Sequence, residues 1–226
     1  MSSRLIFLVL VGIGGVALLM WLGVWQVNRL AWKEARIAAI EARIADAPQP
    51  LPATPDPATD RFMPVTVTGT FAAEQARMLA SRRGAGAVHR HIAAFDTDGR
   101  RILVDLGWTP ADADAPALPG GSLRLTGNLD WPLESDGFTP APDLAAGLWY
   151  ARDVPALAQA LGTEPVMVVL RDMPEPPIAV TPWPVDTAGI PNDHLQYAVT
   201  WFSLAAIWAG MSLYFGLRRP RASGKG

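Results

Sequence analysis

The two ends of the chain are long apolar runs, and they constrain the fold more than any other feature. Residues 5–27 contain no charged side chain, and neither do residues 195–217. At about 1.5 Å per residue, a helix of either length reaches roughly 35 Å, enough to cross a hydrocarbon core of about 30 Å. Lipid offers the backbone no hydrogen-bond partners, so a helix is the expected form. The sequence therefore predicts a membrane protein with two transmembrane helices, 5–27 and 195–217. Small residues on both helices are expected to permit close packing: Gly12, Gly15 and Gly23 on the first, Ala206 and Gly210 on the second.

The placement of charge predicts which side of the membrane each segment occupies. All 21 acidic residues lie between the two apolar runs together with 14 Lys and Arg, whereas the tail 218–226 carries four positive charges and no acid. The positive-inside rule then places both termini in the cytoplasm. We predict a multi-pass protein of the bacterial inner membrane with a periplasmic domain, 28–194, and a basic cytoplasmic tail. The acidic domain argues against nucleic acid as a partner.

The interval between the runs is long enough for one domain with a substantial core. Its start, Asn28 to Ala45, has helical periodicity, and a proline-rich linker that excludes helix, 47–60, follows. Alternating and apolar strands come next, two of them joined by the turn DTDG, and a short helix is predicted between Asp153 and Gly162. The predicted fold class is α+β: two transmembrane helices flanking a β-rich extracytoplasmic domain.

Several sequence motifs in this order resemble one known family. They are GVWQVNRLAWK at residues 23–33, RRGAGAVHRHIAAF at 82–95, the strand ILVDLGWTP at 102–110 and NDHLQYAVTWF at 192–202. Together they resemble the Surfeit-locus-one family of cytochrome c oxidase biogenesis proteins, over nearly the whole chain. Two departures stand out: the family usually has Arg-Gly-Trp where this chain has Leu106-Gly107-Trp108, and Asn-Asn-His where it has Asn192-Asp193-His194.

The resemblance implies a non-enzymatic assembly factor that binds or delivers haem a. The partner it implies is the catalytic subunit of cytochrome c oxidase, with the haem a synthase as a further partner and the lipid bilayer as surroundings. In bacterial relatives the histidine of the second helix is associated with haem a, and here that position is His194. His194 is therefore expected to be the axial ligand of the haem iron.

The spacing of neighbouring residues agrees with such a site. A neutral imidazole is a common axial ligand of haem iron, and the outer edge of the bilayer suits a cofactor with an apolar tail and charged propionates. Arg29 closes the first helix, where it would pair with a propionate, and Trp25 would lie against the macrocycle. Tyr197 and Trp201 share a helical face with His194. Simpler interpretations also exist: His194 as a helix cap, the tryptophans as interfacial anchors, and Arg29 as a charge that reaches out to water.

Two other functions compete with haem delivery. In one, the chain is a haem-free membrane chaperone or scaffold for an oxidase subunit or haem synthase, and His194 only packs. In the other, it is a metal-dependent hydrolase that uses His89 and His91, which face the same side of a strand, with Asp96 and Asp105 across the hairpin. The hydrolase lacks a recognisable catalytic motif. The histidines and neighbouring Arg82, Arg83 and Arg90 are expected to be surface residues, and the absence of cysteine excludes thiol chemistry.

Overall fold

The structure is a computed structural model that describes residue 6 and residues 8–217. The described residues divide into two compact units, one holding those up to Ala39 and those from Ala188 to Leu217, the other Ile40–Thr187. We call them the helix pair and the sheet domain. The helices are α1 (Gly14–Ala45), preceded by a π-helical segment (Leu8–Ile13), α2 (Pro57–Asp60), α3 (Val154–Leu161) and α4 (His194–Leu217). The strands are β1 (Gln49–Pro50), β2 (Pro64–Arg82), β3 (Gly86–Thr97), β4 (Arg100–Pro110), β5 (Leu123–Leu129), β6 (Leu148–Trp149) and β7 (Met167–Leu170).

Two helices are long and apolar enough to cross a membrane, Val9–Ala45 and His194–Leu217. The helix predicted over Asn28–Ala45 is confirmed as the second half of α1, which continues without a break from the apolar run. The predicted tail 218–226 and residues 5 and 7 of the predicted span 5–27 lie outside the described residues. The boundaries of the four predicted segments stay predictions.

Five strands of the sheet domain pair in a closed ring. β2 pairs antiparallel with β3, β3 with β4, and β4 runs parallel to β7, which pairs antiparallel with β5. β5 pairs in turn with the first half of β2, so the ring returns to its first strand. The short strands β1 and β6 add to β2 outside this ring. The predicted β-rich domain and the hairpin at DTDG are confirmed, and the ring is a mixed parallel and antiparallel sheet.

A bulge in β4 allows the chain to cross the sheet closely. The pairing of β3 with β4 slips after His91, which leaves Leu106 as the extra residue. The next residue, Gly107, has φ +115°, and a Cβ added to it would lie 2.3 Å from the carbonyl oxygen of Thr181. The neighbouring Trp108 exchanges two backbone hydrogen bonds with Thr181. Only glycine satisfies both the backbone conformation and this close approach.

The sheet domain has one continuous apolar core, with buried side chains on both faces of the strands. Phe95, Leu125 and Leu170 are fully buried on one face of the sheet, and Leu103 is fully buried on the other. Helix α3 contributes Leu157 and forms as its sequence predicts, because the Asp153 side chain accepts a hydrogen bond from the Ala156 amide and Gly162 ends the helix in the left-handed conformation. The proline-rich linker corrects one expectation. It contains the short helix α2, capped by Asp56 with Pro57 in its first turn, a position where the missing proline N–H costs nothing.

A chain of charged side chains is buried beside this core. Asp105 is fully buried and accepts hydrogen bonds from Arg90 at 2.7 Å and from Arg152 at 3.3 Å. Arg152 also forms a forked pair with Glu134. Burial opposes the ionisation of Glu134, but its hydrogen bonds with Arg152 hold the pKa of that carboxyl below its ordinary value. The expectation that Arg90 is a solvated surface residue is therefore wrong. Arg90 is buried, and the Asp105 carboxylate accepts the hydrogen bond that water would accept at the surface.

Candidate functional site

The two long helices run antiparallel and approach closely at small residues. A Cβ added to Gly12 would lie 3.2 Å from the Ser212 side chain, and one added to Gly23 would lie 2.5 Å from the Phe202 ring. Between them, the Trp208 indole packs on Gly15 and donates a hydrogen bond of 3.0 Å to the Val11 carbonyl. Small residues that let backbones approach are typical of helix contacts in membranes.

The contact positions on α1 were foreseeable from the sequence, whereas those on α4 were not. Gly12, Gly15 and Gly23 were expected to permit close packing, and all three line the contact. On α4 the expected positions were Ala206 and Gly210, but both are exposed. The buried small residues are instead Ala198 and Ala205, seven residues apart and therefore on one side of the helix.

His194 begins α4 and is half-buried against α1. Its Nδ1 lies 2.8 Å from the side-chain oxygen of Gln26. Its Nε2 has no hydrogen-bond partner among the residues that the structure describes. The imidazole is thus fixed through one nitrogen, and none of the residues in the described part of the chain binds the other.

Among the described residues, the other predicted site residues form no hydrogen bond with His194, but they share one side of the helix pair. A groove of about 350 Å³ lies there, lined by residues that include Leu18 and Trp208. On α1, Trp25 and Arg29 follow Leu18 by seven and eleven residues; on α4, Trp201 and Tyr197 precede Trp208 by the same steps. Steps of seven and eleven residues return to the same side of a helix. The four residues therefore lie along the side that carries the groove.

The exposures and contacts of these residues differ. Trp25 is 48 % exposed and Tyr197 54 % exposed, so both are accessible to a ligand or to lipid. Trp201 is half-buried. The Arg29 guanidinium lies 4.0 Å from the centre of the Trp32 ring, one turn along its own helix. Arg29 is thus held by a cation–π contact on the outside of α1.

Gln26 is the residue that the sequence interpretation missed. It is 8 % exposed, and it is the one buried polar residue among the described residues of the helix pair. The signal was present, since Gln26 follows Gly23 by three residues and Gly15 by eleven, which places it on the glycine face of α1. A polar side chain on the packed face of an apolar helix requires a partner, and His194 supplies it.

The histidines of the sheet domain form no comparable site. The expectation that His91 is a surface residue is wrong, because its ring is buried and its Nε2 lies 2.8 Å from the Thr109 hydroxyl. Burial, followed by the neighbouring His89, lowers the pKa of His91 to about 4, so the ring is neutral near pH 7. Asp105 and Asp96, the predicted further ligands, bind Arg90 and Arg101 instead. In the part of the chain that the structure describes, no three metal-ligating side chains come together.

The basic cluster of the sheet domain is partly built into its fold. Arg82 lies between the rings of Trp108 and Trp183, at 5.1 and 4.7 Å from their centres. The Arg90 guanidinium also lies over the Trp183 ring, 4.7 Å from its centre, and donates a hydrogen bond to the Trp183 carbonyl oxygen. These contacts hold the extended segment after β7 against the sheet, in addition to the bridge at Thr181. Two of the arginines expected to be solvated therefore have a structural role.

The sequence model of the SURF1 family matches residues 14–206. The chain belongs to the SURF1 family. Surfeit locus protein 1 of Xenopus tropicalis is 30 % identical over 216 residues, which cover 82 % of this chain and 68 % of the relative. A SURF1-like protein of Monosiga brevicollis is 30 % identical over 224 residues, covering 90 % and 85 %. Surfeit locus protein 1 of Homo sapiens is 29 % identical over 214 residues, covering 82 % and 69 %.

The match to the SURF1 family covers both parts of the site. It begins at Gly14, the first residue of α1, and continues past the first half of α4. Gln26 and His194 both lie inside it, as does the whole sheet domain. The helix pair and the ring of strands are therefore parts of one SURF1-family protein, and the resemblance stated from the sequence motifs is confirmed.

Proposed function

We propose that this SURF1-family chain is an assembly factor for cytochrome c oxidase that binds haem a at His194 and passes it to the catalytic subunit. Membership of the family supports the assembly role. The observation that carries haem binding is the state of His194, whose Nδ1 lies 2.8 Å from the Gln26 side-chain oxygen while its Nε2 has no hydrogen-bond partner among the described residues. A neutral imidazole offered through one free nitrogen is the donor that haem iron takes as an axial ligand.

The residues on the groove side of the helix pair fit the rest of such a cofactor. The bound haem would supply an iron centre and a planar ring. Trp25 and Trp201 offer aromatic surfaces for that ring, and Tyr197 adds a hydroxyl. The Arg29 guanidinium would leave Trp32 to pair with a propionate through its forked donors. The groove lined by Leu18, Leu19 and Leu204 would take the apolar tail.

The membrane is the proposed surroundings of this site. The two long helices would span a bacterial inner membrane with both termini in the cytoplasm and the sheet domain in the periplasm, as the charge distribution favours. His194, as the first residue of α4, would then lie at the outer edge of the bilayer. The oxidase catalytic subunit would be the receiving partner and the haem a synthase the supplying one, and the chain itself would catalyse no reaction.

An optical spectrum tests the proposal. The full chain would be co-expressed with a haem a synthesis pathway, purified in detergent and reduced, as wild type and as His194→Ala. We expect a haem a band in the wild type that is lost or shifted in His194→Ala. His89→Ala is the matched control, because it removes a histidine from the sheet domain and should leave the band unchanged. The same band in all three proteins would refute ligation by His194.

A haem-free scaffold is the second candidate, and the bond between His194 and Gln26 also favours it. A polar contact between two apolar helices holds them together whether or not a ligand binds. In that case the wild-type chain purifies without haem, and an oxidase subunit still co-purifies with both the wild type and His194→Ala. Haem delivery instead requires that His194→Ala fails to load haem.

A further inference from the structure

We propose that Gln26 is a positioning residue that fixes the tautomer of His194, so that Nε2 is the nitrogen presented to iron. The inference rests on the proposed function for its purpose. Its structural content, the position of one proton on the imidazole, stands without any haem. It is carried by the contact of 2.8 Å between Nδ1 and the Gln26 side-chain oxygen and by the burial of Gln26.

The proton position follows from the chemistry of the two groups. An amide oxygen is only an acceptor, so Nδ1 must donate and must carry the hydrogen. A neutral imidazole has a single N–H, which leaves Nε2 with its lone pair. Metal binding uses that lone pair, and metal-ligating histidines generally donate their other N–H to an acceptor of this kind. If the amide nitrogen of Gln26 faced Nδ1 instead, Nε2 would carry the hydrogen and could not ligate.

The packing of the helices explains why Gln26 holds this position. Gly23 lies one turn earlier on the same face of α1 and lets the Phe202 ring of α4 approach its backbone. Ala198 is buried on the facing side of α4, one turn after His194. These small residues bring the two helices close enough for the Gln26 side chain to reach the imidazole. A buried amide in this setting would cost free energy without a partner, and the His194 imidazole is the partner that offsets this cost.

Nitrogen NMR of the haem-free full chain tests the tautomer directly. The protein would be labelled with ¹⁵N at histidine in detergent micelles, and its three histidines would be distinguished by the variants His89→Ala and His194→Ala. We expect Nδ1 of His194 to have the shift of a protonated nitrogen and Nε2 that of an unprotonated one. Gln26→Leu should return His194 to the tautomer mixture of a free imidazole. A wild-type His194 protonated at Nε2, or a spectrum unchanged in Gln26→Leu, would overturn the inference.

A matched control separates this effect from a general disturbance of the helices. Gln196 is exposed on α4, two residues after His194. Gln196→Leu makes the same chemical change beside the same histidine without removing the acceptor at Nδ1. The His194 tautomer should remain as in the wild type. If Gln196→Leu shifts the His194 signals as much as Gln26→Leu does, Gln26 has no special role.

Haem loading then measures the consequence for the ligand. Loss of an acceptor behind a metal-bound histidine typically weakens metal affinity by about 10–100-fold, so Gln26→Leu should reduce haem a affinity to that extent and Gln196→Leu should not. Gln26→Glu keeps an acceptor and pushes electron density onto the ring, so it should retain haem with a lower reduction potential. An unchanged potential and affinity in all three variants would overturn the inference. Wild-type protein that takes up no haem would refute the proposed function, while the NMR result would still decide the role of Gln26.

Discussion

The sheet domain and the helix pair bury polar side chains in different ways. The sheet domain buries a set of charged groups that neutralise one another, with Asp105 between Arg90 and Arg152. The helix pair buries one uncharged amide, Gln26, against one imidazole. The difference matches the surroundings proposed for each unit. A domain that excludes water from an apolar core can hold charges in a network, whereas in lipid a charge is costly and uncharged hydrogen bonds hold helices together.

The two units also differ in the interactions that stabilise them. The fold of the sheet domain depends on its core and on the completeness of its charge network, because an unpaired buried charge is destabilising. In the bilayer proposed for it, the helix pair would have no apolar driving force of its own and would depend on close contact at glycines and on a few polar bonds. Four changes, ordered from the largest expected effect to the smallest, test this distinction.

Asp105→Asn should have the largest effect. It leaves Arg90 and Arg152 buried beside each other without their shared carboxylate, and breaking such a buried pair typically costs about 3–5 kcal/mol. We expect a loss of that order in the free energy of unfolding, measured by urea denaturation of the detergent-solubilised full chain with near-ultraviolet circular dichroism. Asp98→Asn is the matched control, because Asp98 is exposed in a turn. Equal midpoints for the two variants would show that the network contributes little.

Gly107→Ala should follow, at about 3 kcal/mol. The φ of +115° is strained for any side chain, and the added Cβ would collide with the Thr181 carbonyl oxygen. The segment after β7 should separate from β4, which amide hydrogen exchange at Trp108 and Thr181 would detect. Gly120→Ala provides the comparison, since nothing lies within 4 Å of its added Cβ. Unchanged protection in Gly107→Ala would contradict the close approach.

His91 should make the sheet domain sensitive to pH. Burial and the positive neighbours His89 and Arg77 lower its pKa from 6.5 to about 4, against the opposing effect of Asp105. Between pH 6.5 and 4, His91 therefore binds a proton in the unfolded chain but stays neutral in the folded chain. Stability is fully present above pH 6.5 and falls as the pH drops towards 4, by at most about 3 kcal/mol and by about 2 kcal/mol if water partly enters.

Unfolding midpoints between pH 7 and 4.5 measure this effect, because the carboxyl groups with lowered pKa values titrate below that window. His91→Asn should remove most of the dependence of the unfolding midpoint on pH. His89→Asn, at a partly exposed position, should leave most of that dependence in place. The same slope in the wild type and in His91→Asn would show that another group is responsible.

Gly23→Leu should act on the helix pair alone, with an effect of about 1–2 kcal/mol. The side chain would overlap the Phe202 ring and push the helices apart. The chain has no cysteine, so Gly12→Cys with Ser212→Cys gives a clean reporter, because the two Cβ positions lie close together. We expect oxidative cross-linking to fall in Gly23→Leu and to remain in Gly14→Leu, whose added Cβ has no neighbour within 4 Å. A loss of urea stability in the sheet domain would contradict the separation of the two units.

Much of the fold was accessible from local patterns in the sequence. The apolar runs, the helix α3 with its caps and the hairpin at DTDG depend on residues near one another in the chain, and the structure contains them. The closure of the ring was not accessible, because β4, β7 and β5 meet only through pairings of distant segments. The burial of Arg90 was hidden for the same reason, since its carboxylate partner lies 15 residues away on the next strand.

The site was predicted at one residue and missed at its partner. His194 stood out because histidine is rare in this chain and lies at the start of an apolar helix. Arg29 and Trp25 seemed the natural neighbours, since they end the opposite helix. Gln26 makes the contact with His194 because the glycine face of α1, and not its charged or aromatic side, packs against α4. Sequence shows which residues could bind a ligand, but helix rotation decides which of them meet.

The closed ring of strands has a consequence for the synthesis of the chain. β7 lies between β4 and β5, so each of these strands keeps one open edge until residues 167–170 have been made. An open edge can pair with another chain, and a nascent domain in this condition is exposed to wrong association. Only residues 171–193 then separate the closing strand from α4. Completion of the domain and emergence of the second long helix would therefore fall close together in time. A delay in closing the ring would leave strand edges open while the apolar helix α4 is being made.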